Sequence, residues 1–190
     1  MSTRDDLVEA TAELLRERGY SATSPARILE RAGAGQGSMY HHFHGKADLA
    51  RAAMEHVAAV MTEAVESEDD PSLPALDRIR AFLAREWDPL LGCRIGRLVQ
   101  DAEVVGDDDL RGIADRYFTH LEDWIADVLE VGRAAGELRG DADTRAAAAM
   151  VVAVVQGGFV LARAHQDVAT QQAAIRGASL ALGALRAREH

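Results

Sequence analysis

Apolar side chains recur every three or four positions from Leu110 to Leu129, with no proline in the stretch. A period of 3.6 residues sustained over this length predicts one long amphipathic helix. The acidic residues 107–109 suit its positive N-terminal end, and we expect the helix to end at Gly136. Because such a helix needs other helices to cover its apolar face, and because no stretch alternates as a strand does, we predict an all-α fold.

The remaining helices are predicted from the same periodicity and from local start and stop signals. Ser24 followed by Pro25 is typical of a helix N-terminus, and Gly19 and Gly33 are typical of helix ends. The predicted helices cover residues 3–18, 25–32, 36–42, 46–66, 75–87, 94–105, 108–135, 144–164 and 168–188.

Residues 146–162 are apolar apart from Gln156, which raises the question of a membrane span. A span needs about 20 apolar residues and is usually richer in Leu and Ile than this alanine-rich run. Arg145 and Arg163 flank the segment, and the sequence offers no second candidate span. We therefore predict a helix buried in protein, and no membrane partner.

Composition and cysteine content place the chain among ordinary globular proteins. Of the 190 residues, 48% are hydrophobic, 27% are charged and only 5% are aromatic, a balance that favours packed helices. Cys93 is the only cysteine, so an internal disulfide is impossible, and the acidic N-terminus is unlike a secretory leader. These features predict a cytoplasmic protein.

The charge is distributed unevenly along the chain, whose net charge is −10. Residues 1–56 hold seven Lys/Arg against eight Asp/Glu, and the rest hold fourteen against twenty-three. Between Arg27 and Arg51, basic residues outnumber acidic ones four to two, with three histidines added. The overall acidity excludes a protein coated with basic surface, but this segment predicts a local patch that binds nucleic-acid phosphates.

The predicted helices 25–32 and 36–42 are joined by a tight, glycine-containing turn. This pattern is typical of a helix-turn-helix, whose second helix lies in the major groove of DNA with its N-terminal residues at the base edges. Those residues are Gln36, Gly37 and Ser38. Glutamine can hydrogen-bond an adenine edge, serine can donate or accept, and glycine lets the helix approach closely.

The other side chains of this segment divide into an inward set and a phosphate-facing set. We expect Met39 and Phe43 to pack inward against Leu14, Ile28 and Leu29. The candidates for phosphate contact, through hydroxyls, free amides, a ring nitrogen or a positive charge, are Thr23, Ser24, Arg27, Tyr40, His41 and Lys46. Arg27, one turn into its helix, could reach a base instead.

Over residues 3–49 the chain resembles the TetR family of ligand-responsive transcriptional repressors. The residues that carry the resemblance are Glu9-Ala10, Leu14-Leu15, Glu17, Gly19-Tyr20, Thr23-Ser24, Ile28, Ala32-Gly33, Gly37-Ser38, Tyr40-His41-His42-Phe43, Lys46 and Leu49. The resemblance implies an N-terminal three-helix helix-turn-helix DNA-binding domain (1–48) and a C-terminal helical ligand-binding and dimerisation domain (49–190). It further implies a homodimer that binds a palindromic double-stranded operator and is released by a small-molecule effector.

Several positions differ from the commonest pattern of that family. Pro25 stands where an aliphatic residue is usual, and Leu29 stands where a small residue is common. Ala34-Gly35-Gln36 replaces a more usual aliphatic-Ser-Lys, which removes one expected phosphate contact and makes the turn more pliable. We expect these differences to alter the operator sequence rather than DNA binding itself.

The resemblance also implies an effector cavity in the C-terminal domain and a four-helix bundle formed by the last two helices of two subunits. We expect the cavity to lie between the helix 75–87, the region of Cys93 and the helix 108–135. Its candidate lining residues are Phe82, Trp87, Cys93, Tyr117, Phe118, Trp124, Met150 and Phe159. The alternative is plain core, since an aromatic stripe at helical spacing usually has that role.

Cys93 carries a separate hypothesis. It lies at a predicted helix start with Arg94 and Arg97 nearby, an environment that raises the thiolate fraction of a cysteine. The segment also resembles a subgroup of the TetR family in which some members sense electrophiles through a cysteine. A redox or electrophile sensor is one interpretation, and a buried, inert cysteine is the other.

Other classes of function find little support in the sequence. It has no Glu-x-x-His, His-Glu-x-x-His or Gly-x-Ser-x-Gly motif, so we predict no enzyme. His41, His42 and His44 are too close on one helix end to converge on a metal, so we predict neither metal nor cofactor. Two alternatives stay open: a helical small-molecule-binding or carrier protein with vestigial DNA binding, and an activator instead of a repressor.

Overall fold

A computed structural model describes residues 2–187, and the predicted all-α fold is confirmed. A 3₁₀ helix covers Leu98–Gln100. The α-helices are α1 (Thr3–Arg18), α2 (Pro25–Ala32), α3 (Gln36–His42), α4 (Lys46–Glu68), α5 (Ala75–Leu83), α6 (Ala102–Gly106), α7 (Asp108–Ala134), α8 (Thr144–His165) and α9 (Val168–Gly183). Within the described residues, β-structure is limited to one isolated antiparallel bridge between Leu138 and Arg186.

Local caps determine the bounds of the first helices, which match the prediction. Ser2 and Asp5 exchange hydrogen bonds in a capping box at the start of α1, and Gly19 ends that helix with a φ of +81°. The Ser24 hydroxyl accepts a hydrogen bond from the Arg27 amide at 3.4 Å at the start of α2. Gly33 ends α2 in the left-handed conformation.

Two of the predicted helices in the middle of the chain differ from the structure. The helix predicted over 75–87 ends at Leu83, because the Trp87 indole donates to the Leu83 carbonyl at 3.1 Å and the chain turns there. The helix predicted over 94–105 is broken into turns, the 3₁₀ helix and α6. Asp101 causes the break: its backbone is extended, and its carboxylate caps α6 by accepting from the Glu103 amide.

The last helix is also shorter than predicted. It was expected to reach residue 188, which lies outside the described residues, but α9 ends at Gly183. After it, the Leu185 carbonyl accepts from Arg139 and the Ala187 amide donates to Glu137. Pairing with the segment after α7 therefore replaces the final helical turn.

The chain forms two compact units. The first comprises residues up to Thr62 together with Cys93–Tyr117, and the second comprises Glu63–Gly92 together with the chain from Phe118 onward. In the first unit, α1 lies against α2 and α3. In the second, α9 lies along α8 and also contacts α5. Neither unit begins or ends at residue 48. The boundary predicted there, between a DNA-binding and a ligand-binding domain, stays a prediction.

Helix α8 is the apolar segment considered above as a membrane span. Among the described residues it is the one helix with the length and composition to cross a bilayer, and 44% of its most apolar 18-residue stretch is buried. Its buried face includes Val151, Val155 and Phe159, whereas Val160 and Leu161 are about half exposed. The expectation of a fully buried helix is therefore met on one face only within the single chain.

Candidate nucleic-acid interface

Helix α3 has one buried face and one exposed face. Met39 is fully buried and Phe43 is 4% exposed, as predicted, whereas Tyr40 on the opposite face is 57% exposed. Of their expected neighbours, Leu14 and Ile28 are buried and Leu29 is partly exposed. Because the inward side chains fix this short helix on α1 and α2, its outer face is held in place without being covered.

The outer face of α3 begins with the three residues expected to read bases. Gln36 and Gly37 are exposed and Ser38 is partly exposed. A Cβ built on Gly37 would meet no described atom within 4 Å, so the fold itself does not require glycine there. The missing side chain instead leaves room for a partner to approach the helix.

The start of α2 supplies part of the expected phosphate contacts. Ser24 and Arg27 are exposed, and Arg27 forms no ion pair with a described carboxylate. Thr23, however, is 2% exposed; its hydroxyl donates to the Gly19 carbonyl at 2.8 Å and its amide donates to Tyr20. The structure therefore gives Thr23 a role in holding the loop between α1 and α2, and a direct phosphate contact through its side chain is not supported.

Lys46 opens α4 in contact with an aromatic ring. Its Nζ atom lies 3.9 Å from the centroid of the Tyr20 ring, well within the range of a cation–π interaction. Tyr20 itself is 7% exposed. Sequence reasoning assigned Lys46 to phosphate and gave Tyr20 no role, because two residues 26 positions apart carry no local signal of their contact.

The basic patch is smaller than the sequence predicted, because two of its arginines are paired with carboxylates. Arg31 contacts Glu13 at 2.8 Å and Glu17 at 3.0 Å, and these hydrogen bonds raise the pKa of the guanidinium. Arg51 similarly contacts Asp48 at 2.6 Å. Within the predicted basic segment, Arg27 and Lys46 are the cations without such a partner among the described residues.

A further cation lies beside α3 that the sequence did not single out. Arg4, on α1, places its guanidinium carbon 5.4 Å from the centroid of the Phe43 ring and is exposed. His41 and His42, also exposed, lie edge to face at 4.8 Å between ring centroids. The end of α3 thus combines exposed histidines with an arginine contributed by a different helix.

Hydrogen bonds fix the joint between α3 and α4. The His44 amide donates to the Asp48 carboxylate at 3.1 Å, and Arg51 donates to the same carboxylate. Both bonds hold the pKa of Asp48 below its ordinary value. The start of α4, where Lys46 stands, is therefore anchored to the end of α3.

A second anchor connects the loop between α1 and α2 to the start of α6. The Ser21 amide and hydroxyl both donate to the Asp101 carboxylate, each at 2.8 Å. Burial alone would raise the pKa of Asp101, but these hydrogen bonds outweigh it and the pKa is lowered. Arg97 adds a hydrogen bond to the Arg16 carbonyl at the end of α1.

The second unit brings together four of the eight candidate effector residues. Phe82 lies 5.7 Å from Trp87 and 5.6 Å from Trp124, and Trp87 lies 5.6 Å from Phe159, between ring centroids. Phe82 and Trp124 also line a cleft of about 90 Å³. Two ion pairs border this cleft: Asp69 with Arg78, and Glu68 with Arg85.

The other four candidates lie elsewhere. Met150 and Phe118 are partly exposed in the second unit and do not line that cleft. Tyr117 and Cys93 are buried and belong to the first unit. The Cys93 sulfur accepts a hydrogen bond from the Gly96 amide at 3.2 Å, and no helix starts at this residue. One premise of the sensor hypothesis, a helix N-terminus at Cys93, is therefore wrong, and the hypothesis itself stays a prediction.

Within residues 2–187, no group of three or more His, Cys, Asp or Glu side chains is arranged to hold a metal ion. The exposed outer face of α3, braced by α1, α2 and the start of α4, is the geometry of a helix-turn-helix regulator. The first unit thus indicates a DNA-binding regulator of the helix-turn-helix class. Similarity to known proteins identifies the family.

Two family models match the chain. The model described as "Bacterial regulatory proteins, tetR family" matches residues 7–53, and the one described as "Tetracyclin repressor-like, C-terminal domain" matches residues 75–178. The transcriptional regulator AcuR of Cereibacter sphaeroides is 32% identical over 155 residues, covering 75% of this chain and 68% of AcuR. The transcriptional repressor KstR2 of Mycobacterium tuberculosis is 29% identical over 156 residues, covering 75% of this chain and 72% of KstR2.

Solved structures agree with these matches. A TetR-family transcriptional regulator from Agrobacterium tumefaciens superposes with a TM-score of 0.85 at 27% identity, covering 98% of each chain. The chain belongs to the TetR family of transcriptional regulators, a family of regulators and not of enzymes.

Proposed function

We propose that this regulator is a cytoplasmic, ligand-responsive repressor that binds a palindromic operator as a homodimer and is released by a small-molecule effector. One observation carries the proposal: α3 is locked by the buried Met39 and Phe43 while its opposite face, with Tyr40 57% exposed, is uncovered. A helix that is fixed through its buried face and has an exposed opposite face is suited to insertion into the major groove. The similarity to the repressor KstR2 supports repression rather than activation of transcription.

The proposed contacts divide by chemistry. Gln36 and Ser38 read base edges, and Gly37 allows the backbone close to the DNA. The phosphate contacts come from cations, hydroxyls and ring nitrogens around α3, namely Ser24, Arg27, Tyr40, His41, Lys46 and, in addition to the residues expected from sequence, Arg4. Thr23 holds the loop from which these contacts start.

The proposed dimer uses the outer faces of α8 and α9. Leu180 on α9 is 78% exposed, and Val160 and Leu161 on α8 are about half exposed. Alanine is the commonest exposed residue of these two helices, and the exposed arginines are Arg145 in α8 and Arg176 in α9. Two copies of this chain can bury such a small-residue, nearly uncharged surface against each other, since an isologous interface needs only one self-complementary patch.

Dimerisation gives the operator its symmetry. Two copies of α3 about 34 Å apart reach successive major grooves on one side of the duplex, so they read two half-sites of a palindrome. An effector that favours another spacing releases the DNA, and a 5–150-fold loss of affinity corresponds to about 1–3 kcal/mol of coupling.

For the effector, we propose the second unit, where the cleft beside Phe82 and Trp124 offers an aromatic wall and a charged rim. A molecule with an apolar body and a polar end fits this combination. Screening small molecules for a rise in unfolding temperature identifies candidates, since a ligand of the native state alone stabilises it by mass action. We expect Trp124→Phe to weaken the effect of a true ligand, whereas Phe118→Leu, outside the cleft, leaves it unchanged.

The direct experiment is selection of binding sites from random duplex DNA by the purified protein. We expect an enriched palindrome whose binding weakens steeply with salt, as phosphate contacts require. Absence of an enriched motif at low salt and without effector would contradict the proposal. It would favour the alternative of a helical small-molecule-binding or carrier protein with vestigial DNA binding.

A further inference from the structure

Lys46 is unusual within this chain because it is the only lysine: the other twenty basic residues are arginine. It is the first residue of α4, its side chain is partly exposed, and it forms no ion pair with a described carboxylate. Its ammonium lies 3.9 Å from the centroid of the Tyr20 ring. A lysine ammonium is a compact charge on a flexible stem, so an unsupported one samples many positions.

The Tyr20 ring is a fixed platform. Its side chain is 7% exposed, and the loop that carries it is closed by the hydrogen bonds of Thr23 to Gly19 and to Tyr20 itself. Burial, and then the nearby carboxylates led by Glu103, raise the pKa of the Tyr20 phenol. The ring is therefore neutral, and it holds the ammonium through its face and not through a phenolate charge.

The loop that carries the Tyr20 ring is also held by hydrogen bonds to the segment that leads into α6. Ser21, next to Tyr20, donates from its amide and its hydroxyl to the Asp101 carboxylate, both at 2.8 Å. Asp101 also caps α6 through the Glu103 amide. The residue next to the Tyr20 ring is thus held by a carboxylate 80 residues from Ser21 in the chain.

We propose that Tyr20, fixed by the Ser21–Asp101 hydrogen bonds, is the positioning residue for Lys46 in DNA binding. The ring occupies one side of the ammonium, whose charge also interacts with the Asp101 carboxylate. The ammonium donates no hydrogen bond to a described residue, so its N–H groups can bind a phosphate. Holding the ammonium in advance reduces the ordering cost when the phosphate contact forms. This inference rests on the proposed function, in which Lys46 contacts the DNA backbone.

The arrangement itself can be tested without DNA. Lysine-selective isotope labelling of the full chain gives the side-chain signals of Lys46 alone, since no other lysine exists. We expect an upfield ring-current shift of these signals in the wild type, its retention in Tyr20→Phe and its loss in Tyr20→Leu. Wild-type signals at the positions of a free lysine would overturn the proposal.

The role in binding is tested by a double-mutant cycle on a duplex carrying the selected operator. We expect Tyr20→Leu to weaken binding by about 2- to 5-fold, as loss of a cation–π contact allows, and Tyr20→Phe to match the wild type. Ser21→Ala, which leaves all charges unchanged, should weaken binding less. In a Lys46→Ala background none of these changes should have any further effect.

The cycle separates positioning from a merely structural role. If Tyr20→Leu weakens binding equally with and without Lys46, Tyr20 only supports the fold. If Tyr20→Leu leaves binding unchanged or makes it tighter, the ring does not assist Lys46. Either result overturns the proposal. Thermal unfolding of each variant identifies any that fails to fold. If Tyr20→Leu does not fold, Ser21→Ala carries the comparison with Lys46→Ala, because it removes one of the hydrogen bonds that fix the ring. A wild type that binds no duplex would refute the proposed function instead, while the lysine signals still report whether the ring holds the ammonium.

Discussion

Neighbouring side chains on α3 differ in exposure, so the residues that hold the helix in place differ from those that can contact DNA. Met39 is fully buried whereas Tyr40 is 57% exposed. We expect Tyr40→Ala to change the free energy of unfolding by less than about 0.5 kcal/mol while weakening DNA binding. Met39→Ala should cost about 2–5 kcal/mol of stability, because it leaves a cavity behind α3. Denaturant unfolding and DNA titration of both variants check this; a large loss of stability in Tyr40→Ala would contradict it.

The buried ion pair beside the second-unit cleft makes stability depend on pH. Arg78 donates to Asp69 at 2.8 and 2.5 Å, both side chains are about nine-tenths buried, and the pair holds the pKa of Asp69 below its ordinary value. A lowered folded-state pKa contributes stability above the unfolded value of about 3.9, and this contribution is lost as the pH falls through the folded pKa.

Asp69→Asn should therefore cost roughly 3 kcal/mol near neutral pH, since it leaves the Arg78 charge buried without its partner. The difference from wild type should shrink as the pH drops below about 4, where Asp69 is protonated in the unfolded chain, and should be smallest below the lowered folded-state pKa of Asp69. Urea unfolding of both proteins over this range measures the difference. A cost that stays constant with pH would show that the charge of Asp69 does not stabilise the fold.

What single residues do was only partly predictable from sequence. The inward direction of Met39 and Phe43 follows from helical periodicity, and the structure confirms it. Burial of Thr23 and the contact between Lys46 and Tyr20 depend on how the loop after α1 folds back, which no local pattern encodes. The direction in which a side chain of a helical motif faces can thus be predicted from sequence, whereas the distant residue that it contacts cannot.

Among the helices, α7 shows how a single glycine permits close packing. A Cβ on Gly132 would collide with the Ala75 Cβ of α5, whereas a Cβ on Gly112, in the same helix, would meet only the flexible end of Arg116. We expect Gly132→Ala to destabilise by about 1–3 kcal/mol through overpacking. Gly112→Ala should stabilise by up to about 1 kcal/mol through helix propensity. Thermal unfolding of the pair provides the measurement, and a stabilising Gly132→Ala would mean that α5 and α7 do not lie this close.

Prediction of the helices succeeded where their ends are set locally and failed where they are set by distant contacts. The caps at Ser24 and Gly33 lie directly next to the helix they bound, so the ends of α2 can be predicted from the sequence. The early end of α5 depends on Trp87, whose ring packs against Phe82 and Phe159. The break before α6 depends on Asp101, which Ser21 holds from 80 residues away.

For the molecule as a whole, the proposed dimerisation allows two helix-turn-helix motifs to bind the two half-sites of one operator. Leu180 is 78% exposed on α9, within the proposed interface. We expect Leu180→Glu to convert the dimer to monomers and to reduce operator affinity strongly, because removing the new carboxylate from water costs free energy that opposes association. Sedimentation and DNA titration of the purified variant measure both effects.

The matched control is Val131→Glu, on α7, where a valine that is 61% exposed lies outside the proposed interface. It should leave the dimer and its operator affinity unchanged. A wild type that sediments as a monomer, or a Leu180→Glu variant that stays dimeric, would exclude α9 as the dimer surface.

The most direct test of the central claim, that the outer face of α3 reads bases, is the base preference of Gln36→Ala at each operator position. We expect a loss of about 1–3 kcal/mol of discrimination at one base pair in each half-site, with the salt dependence unchanged, because Gln36 contacts bases and not phosphates. Gln100→Ala, an exposed glutamine elsewhere in the same unit, serves as the control and should leave the preference intact. An unaltered preference in Gln36→Ala, or an equal weakening for every sequence, would contradict the claim.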